Sequence, residues 1–171
     1  MRLARQDPSA FAIAVDPAID RLRDGARTAL RRKVANALFV VAAVEALPSE
    51  LDGRADEITV NFPWGTLLRG IVGAEAYVLD PLARLARPDT RVRALLSVEP
   101  RDGASGLAAL DAEGFAAQSE AYRRAGFALE HCRVASRDEI AASGSSWAKR
   151  LGERRCVFAL ELRRKALPYD K

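Results

Sequence analysis

Short apolar runs alternate with amphipathic segments along the whole chain, and this alternation constrains the fold more than any other feature. Runs bounded by turn residues predict buried strands, and apolar residues recurring every three or four positions predict helices. The strands are predicted at 11–15, 37–42, 57–60, 91–98, 127–134 and 155–162. The helices are predicted at 17–33, 66–72, 76–85 and 111–125, with one more starting at the capping-box pattern 136–139. Such alternation favours an open, mostly parallel α/β sheet with helices on both faces.

The length and composition suit one globular domain spanning residues 1–171. The chain has 171 residues, of which 49% are apolar, and it contains no internal repeat or low-complexity linker. Its net charge is +4 and its isoelectric point is near 9.4. This mildly basic balance permits a partner that carries phosphate groups but does not require one.

Several classes of site and location are disfavoured by the sequence. Cys132 and Cys156 are the only cysteines and His131 is the only histidine, so no metal-ligand spacing exists. Two isolated cysteines fit a reducing compartment. The sequence has no apolar run of membrane-spanning length and no signal-peptide pattern at its start. We therefore expect a cytoplasmic, monomeric protein without a metal or a membrane contact.

Two acidic residues follow the first two predicted strands. Ligands of open α/β sheets bind outside the carboxyl ends of the strands, where an acidic residue commonly accepts hydrogen bonds from ribose hydroxyls. Asp16 stands at such a position, although it is also suited to cap the helix that begins near Pro17. Glu45 follows the second strand, and alone it is equally compatible with a solvated loop carboxylate.

The two tryptophans of the chain both occur outside periodic segments. Trp64 lies at a strand-to-helix break in the stretch NFPWG, where Pro63 restricts the backbone before it. Trp147 lies in SGSSWAKRL, after small polar residues and before basic ones. Two loop indoles near basic residues indicate stacking on a planar ring such as a nucleic acid base. The alternative is that both indoles are partly buried lids.

Basic residues concentrate in two places, which indicates either two phosphate-binding patches or two solvated faces. The first cluster lies on the first long helix and its exit, and the second follows Trp147. The clusters comprise Arg21, Arg23, Arg27, Arg31, Arg32 and Lys33, and then Lys149, Arg150, Arg154 and Arg155.

NFPWG after a strand, together with the late SSWAKRL, resembles the aminoglycoside-resistance 16S rRNA (adenine(1408)-N(1))-methyltransferases of the kanamycin–apramycin type. The stretches IAVDPA and FVVAAVEALP are similar to strand motifs of that family, and the resemblance runs nearly end to end. It implies a Rossmann-like, class I S-adenosylmethionine (SAM)-dependent methyltransferase sheet. It also implies methyl transfer from SAM to N1 of adenine 1408 of 16S rRNA in the 30S subunit.

The resemblance also implies roles for particular residues. Asp16 would bind the cofactor ribose, and Val44 and Glu45 would flank its adenine. Trp64 and Trp147 would sandwich the flipped target adenine. The cofactor and target pocket would be lined by Asn61, Phe62, Pro63, Thr66, Ser145 and Ser146. The rRNA phosphates would be bound by Arg27, Arg31, Arg32, Lys33, Lys149, Arg150, Arg154 and Arg155.

One family feature has no counterpart in this sequence. Family members open with a strand and a glycine-rich turn that holds the methionine part of the cofactor. Without that strand, which is normally the central one, two of its neighbours are expected to lack a partner or to pair differently. The alternatives are a truncated reading frame or a protein with lower affinity for SAM. The alternative functions are a small-molecule class I methyltransferase and an RNA-binding remnant without activity.

Overall fold

The computed structural model describes residues 2–97, 112–145, 147–148 and 155–165. The chain divides into two compact units, Met1–Pro48 and Ser49–Lys171, which we call the N-terminal unit and the C-terminal unit. Each unit contains its own β-sheet. The single methyltransferase domain expected from the sequence stays a prediction.

The N-terminal unit contains a two-stranded parallel sheet and two α-helices. Its elements are α1 (Arg2–Gln6), β1 (Ala12–Val15), α2 (Ile19–Arg31), β2 (Ala37–Val40) and a 3₁₀ helix (Val44–Ala46). Ile13 of β1 lies opposite Leu38 of β2. The side-chain amide of Asn36 donates to the carbonyl oxygens of Ala4 and Ala10, each at 2.8 Å, and so ties α1 to the start of β1.

The C-terminal unit contains a four-stranded sheet in the order β3-β4-β6-β5. A 3₁₀ helix (Ser49–Leu51) leads into β3 (Ala55–Asn61), α3 (Gly65–Val72), α4 (Ala76–Leu85) and β4 (Ala86–Leu96). The remaining elements are α5 (Ala112–Ala117), α6 (Ser119–Arg124), β5 (Phe127–Val134), α7 (Arg137–Ala142) and β6 (Phe158–Arg164). Side chains of α3, α4, β4 and β6 form most of the buried core.

The mixed α/β class predicted from the sequence is confirmed, but the strands form two sheets and not one. β3 and β4 are parallel, whereas β6 lies between β4 and β5 and is antiparallel to both. It follows that β3, β4 and β5 run in the same direction. In the described residues, β1 pairs only with β2 and β3 pairs only with β4.

Most predicted elements agree with the structure to within two residues at each end, and three differ by more. The helix predicted at 111–125 is two helices separated at Gln118, and the Ser119 hydroxyl donates to the carbonyl of Ala116 at this break. β4 begins at Ala86 and not at 91, and its pairing with β3 is irregular between Ala55 and Glu57. Near this irregularity the Thr90 hydroxyl donates to the Ala55 carbonyl oxygen at 2.6 Å. The strand predicted from 155 begins at Phe158.

Candidate active site

Asp16 follows β1 directly, and its carboxylate organises the turn before α2. One oxygen accepts the Ala18 N–H at 2.8 Å, and the other lies 3.5 Å from the Arg21 guanidinium. The helix begins at Ile19, and no side chain caps it. The helix-capping alternative is therefore wrong for Asp16, because its carboxylate closes a two-residue turn that precedes the helix. Each carboxylate oxygen retains a lone pair for a further donor.

Val44 and Glu45 follow β2 in the short 3₁₀ helix, where Val44 is half-buried and Glu45 is exposed. The Asp16 N–H donates to the Val40 carbonyl at 3.3 Å, which continues the β1–β2 pairing to the ends of both strands. Because the two strands are parallel, Asp16 and the Val44-Glu45 pair follow the same edge of this sheet. This is the edge at which α/β sheets bind ligands.

The chain reverses sharply after β3, at Phe62 to Gly65. Phe62 and Gly65 have left-handed φ values of 52° and 61°, and Trp64 between them is extended. A left-handed conformation is costly for a phenylalanine, and more so before a proline. The Phe62 N–H donates to the Leu95 carbonyl at 2.9 Å, and its ring is buried against Ala135 and Val157. Burial and this hydrogen bond therefore hold the turn in place.

The turn presents Trp64 to solvent. Its side chain is 61% exposed. Trp64 is the residue just before α3, and its side chain makes no capping hydrogen bond to that helix. Asn61 and Thr66 beside it are exposed, and Pro63 is half-buried. Phe62 differs from these neighbours because its ring lies in the core. If Phe62 contacts the cofactor, it therefore does so through its main chain and not through its ring.

Trp147 lies in a segment that serine hydroxyl groups organise by hydrogen bonding. The Ser145 N–H donates to the Ser143 hydroxyl, and the Trp147 N–H donates to the Ser145 hydroxyl, each at 3.2 Å. The indole of Trp147 is 40% exposed. The guanidinium carbon of Arg155 lies 5.4 Å from the centroid of its ring. Both tryptophans are therefore surface residues and not part of the core.

One apolar cluster anchors both tryptophan-bearing segments. Phe62, Ala135 and Val157 form its buried centre, and Ala148 packs against them from the residue after Trp147. Leu95, Ile140 and Ala159 complete the cluster. Phe62 and Ala135 directly follow β3 and β5, and Val157 directly precedes the antiparallel β6. The cluster, and with it both indoles, therefore lies at the carboxyl end of β3, β4 and β5.

The first basic cluster is exposed on α2 and at its exit. Arg21 and Arg23 form ion pairs with Asp16 and Asp20. In contrast, Arg27, Arg32 and Lys33 have no carboxylate partner in the described part of the chain, and Arg31 contacts only the Thr28 hydroxyl there, at 3.4 Å. In the second cluster, Arg155 is described. Ser146, Lys149, Arg150 and Arg154 lie outside the described residues.

The structure adds one side chain that the sequence reading missed. The Ser97 hydroxyl oxygen follows β4 and is buried without a hydrogen-bond partner in the described residues. A polar residue directly after an apolar strand is the signal that would have indicated it. No described group of His, Cys, Asp and Glu side chains could hold a metal ion. Across residues 2–97, 112–145 and the shorter described stretches, no helix is long and apolar enough to cross a membrane.

The alternating strands and helices have the Rossmann-like fold of class I methyltransferases. The model of the family "NpmA: 16S rRNA (adenine(1408)-N(1))-methyltransferase" matches residues 1–166. The chain belongs to this family of enzymes.

Individual relatives agree with this assignment. The 16S rRNA (adenine(1408)-N(1))-methyltransferase of Streptoalloteichus hindustanus is 34% identical over 92% of this chain and 76% of its own length. The solved antibiotic-resistance methyltransferase Kmr is 35% identical, with a TM-score of 0.75 over 95% of this chain and 79% of its own. A variant of the Catenulisporales acidiphilia enzyme, solved with the cosubstrate SAM, is 27% identical. Its TM-score is 0.78 over 99% of this chain and 81% of its own.

Proposed function

We propose that this chain transfers a methyl group from SAM to N1 of adenine 1408 in the 16S rRNA of the 30S subunit, and thereby gives aminoglycoside resistance. One observation carries the proposal. In a chain of this family, the two segments that carry exposed indoles are both anchored in one apolar cluster at the carboxyl end of the sheet. An exposed indole on an anchored segment leaves a large flat apolar face open, which suits stacking on a planar ligand.

The residues after β1 and β2 fit the adenosine part of SAM. The Asp16 carboxylate is fixed by Ala18 and Arg21 and still has lone pairs for two ribose hydroxyls. The half-buried side chain of Val44 offers an apolar surface to an adenine ring. When bound, the cofactor supplies a methyl group on a positively charged sulfur. We also assign roles in cofactor or target binding to Asn61, Pro63, Thr66 and Ser145.

In this proposal, Trp64 and Trp147 hold the target adenine between them. A base must leave its stack before an enzyme can reach N1, which costs a few kcal/mol. Stacking on an aromatic side chain contributes about 1–3 kcal/mol per base and so offsets much of that cost. The N1 lone pair is free at neutral pH, so the chain need not remove a proton. Its residues contribute by fixing N1 in position.

The exposed cations on α2 support binding to rRNA phosphates. Arg27, Arg32 and Lys33 have no carboxylate partner among the described residues, so they can neutralise phosphates without first breaking an ion pair. We assign the same role to Arg31 and, in the second cluster, to Lys149, Arg150 and Arg154. Binding through these residues releases counterions and weakens as salt rises.

The test is methylation of purified 30S subunits with radiolabelled SAM. A methyl group on N1 blocks the pairing edge of adenine, so reverse transcription of the product should stop next to position 1408. The stop should require both the chain and SAM, and Trp64→Ala should remove most of it. Label at another position, or transfer only to small molecules, would contradict the proposed function.

A further inference from the structure

The two indoles differ in what covers them. The guanidinium carbon of Arg155 lies 5.4 Å from the ring centroid of Trp147, within the range of a cation–π contact. No cation lies over Trp64 in the described part of the chain, and Trp64 is the more exposed of the two, at 61% against 40%. Arg155 therefore covers part of one indole and leaves the other open.

The main chain on both sides of this contact is anchored. Ala148 follows Trp147 and packs on the apolar cluster, and Val157 lies two residues after Arg155 and is 2% exposed within the same cluster. The two side chains thus approach each other from backbone positions that the core fixes. A guanidinium is planar and weakly hydrated, and it stacks on an aromatic face more readily than an ammonium does.

We propose that Arg155 is a positioning residue for Trp147 and not a ligand of an rRNA phosphate. Its guanidinium covers one face of the indole and holds the ring, so that the opposite face receives the target adenine. This inference rests on the proposed function, because it gives Trp147 a base to stack on. It replaces the phosphate-binding role that the sequence suggested for Arg155 with a contact inside the protein.

The first test measures the fluorescence of the Trp147 indole in the chain without RNA. The chain has two tryptophans, so in a Trp64→Phe background the fluorescence reports Trp147 alone. Arg155→Leu should make this indole more accessible to acrylamide and shift its emission to longer wavelength. Arg155→Lys should give an intermediate result. The matched charge deletion Arg31→Leu, on α2, should leave the fluorescence unchanged. If Arg155→Leu leaves quenching and emission unchanged, the proposal is overturned.

The second test measures binding to 30S subunits at several salt concentrations. Losing one phosphate contact lowers the slope of log affinity against log salt by about one. Arg31→Leu should show that decrease. Arg155→Leu should keep the slope and lower affinity about two- to fivefold. A slope lowered by about one for Arg155→Leu would make it a phosphate ligand and overturn the inference. If the unmodified chain does not bind 30S subunits, the proposed function fails, whereas the fluorescence test still reports on Arg155.

Discussion

The two units differ in how many of their apolar side chains they bury. Eight of the twelve exposed large apolar residues in the described chain belong to the N-terminal unit, among them Phe11, Ile13 and Leu38. Only four of the twenty-one buried apolar residues lie there, namely Ala4, Leu22, Ala29 and Leu47. The C-terminal unit buries every one of the largest fully buried side chains. Because burial of apolar area drives folding, we expect the C-terminal unit to hold most of the stability.

The same comparison gives exposure a different meaning in each unit. In the N-terminal unit, exposed apolar residues follow from a sheet of two short strands, which is marginal by itself. In the C-terminal unit, few large apolar residues are exposed, and two of those described are Trp64 and Trp147. Exposure is therefore a stronger indication of function in the C-terminal unit.

The largest expected effect comes from two phenylalanine truncations. Phe127 is fully buried in the C-terminal unit, and Phe11 is 61% exposed in the N-terminal unit. Phe127→Ala should lower the free energy of unfolding by about 3–5 kcal/mol. Phe11→Ala should change it by less than about 0.5 kcal/mol. Urea denaturation of both variants checks this, and equal losses would refute the contrast between the units.

Two helical glycines provide a second pair of variants, for which the change in the free energy of unfolding should differ in sign. A Cβ at Gly70 would lie 2.6 Å from Cβ of the buried Val78, so Gly70→Ala should cost about 1–3 kcal/mol. The nearest atom to a Cβ at Gly25 would be Cε1 of the half-buried Phe39 ring, at 2.9 Å, and we expect a small tilt of this ring to relieve the contact. Gly25→Ala should therefore be neutral or stabilise α2 by up to about 1 kcal/mol. Thermal melting of both variants decides the signs.

The third pair tests whether exposure marks function in the C-terminal unit. Trp64 and Val134 are both 61% exposed. Trp64→Ala should lower methylation of 30S subunits by one to two orders of magnitude, from about 1–3 kcal/mol of lost stacking, while the melting temperature changes little. Trp64→Phe should keep part of the activity, and Val134→Ala should keep nearly all of it. Parallel losses of stability and activity in Trp64→Ala would make Trp64 a packing residue.

The smallest effect concerns acids in the two units. The Arg133 guanidinium, followed by the Ser136 N–H, lowers the pKa of Glu139 to about 2. Its folded pKa is depressed, so the stabilisation is present above the ordinary value and is lost as pH falls toward 2. Because Glu139 is over a third exposed, we expect less than about 1 kcal/mol.

An NMR titration should give a pKa for Glu139 well below the ordinary value of a glutamate. Glu139→Gln should flatten the dependence of melting temperature on pH below about 4.5. In the N-terminal unit, the hydroxyl and N–H of Ser9 lower the pKa of the fully exposed Asp7. Asp7→Asn is the matched comparison and should flatten that dependence less, because Asp7 is exposed and has no cationic partner in the described residues. An unchanged pH profile in Glu139→Gln would contradict the assignment.

Local features of the fold were predictable because their causes are local. The helix at Ala76–Leu85 and the strand at Phe127–Val134 have the predicted bounds. The capping box at Ser136 and Glu139 is present with both of its hydrogen bonds. Trp64 and Trp147 are exposed, as their non-periodic surroundings indicated. Periodicity, capping and turn chemistry are all encoded within a few residues.

Features set by distant parts of the chain were not predictable from local pattern. The position of β6 between β4 and β5 depends on pairing across many residues, and nothing within Phe158–Arg164 states it. The left-handed conformation of Phe62 depends on the pocket that Ala135 and Val157 form for its ring. Likewise, the contact of Arg155 with Trp147 required the cluster that fixes both segments.

The place of β6 has a consequence for biosynthesis. β6 is the last of the described strands to leave the ribosome, yet β4 and β5 are joined only through it. Until Phe158–Arg164 has been synthesised, the nascent C-terminal unit presents one edge of β4 and both edges of β5 to other chains. A premature stop codon before residue 158 would leave that state permanent. The messenger RNA must therefore be read past the codon of Arg164 before the sheet that carries both tryptophans is complete.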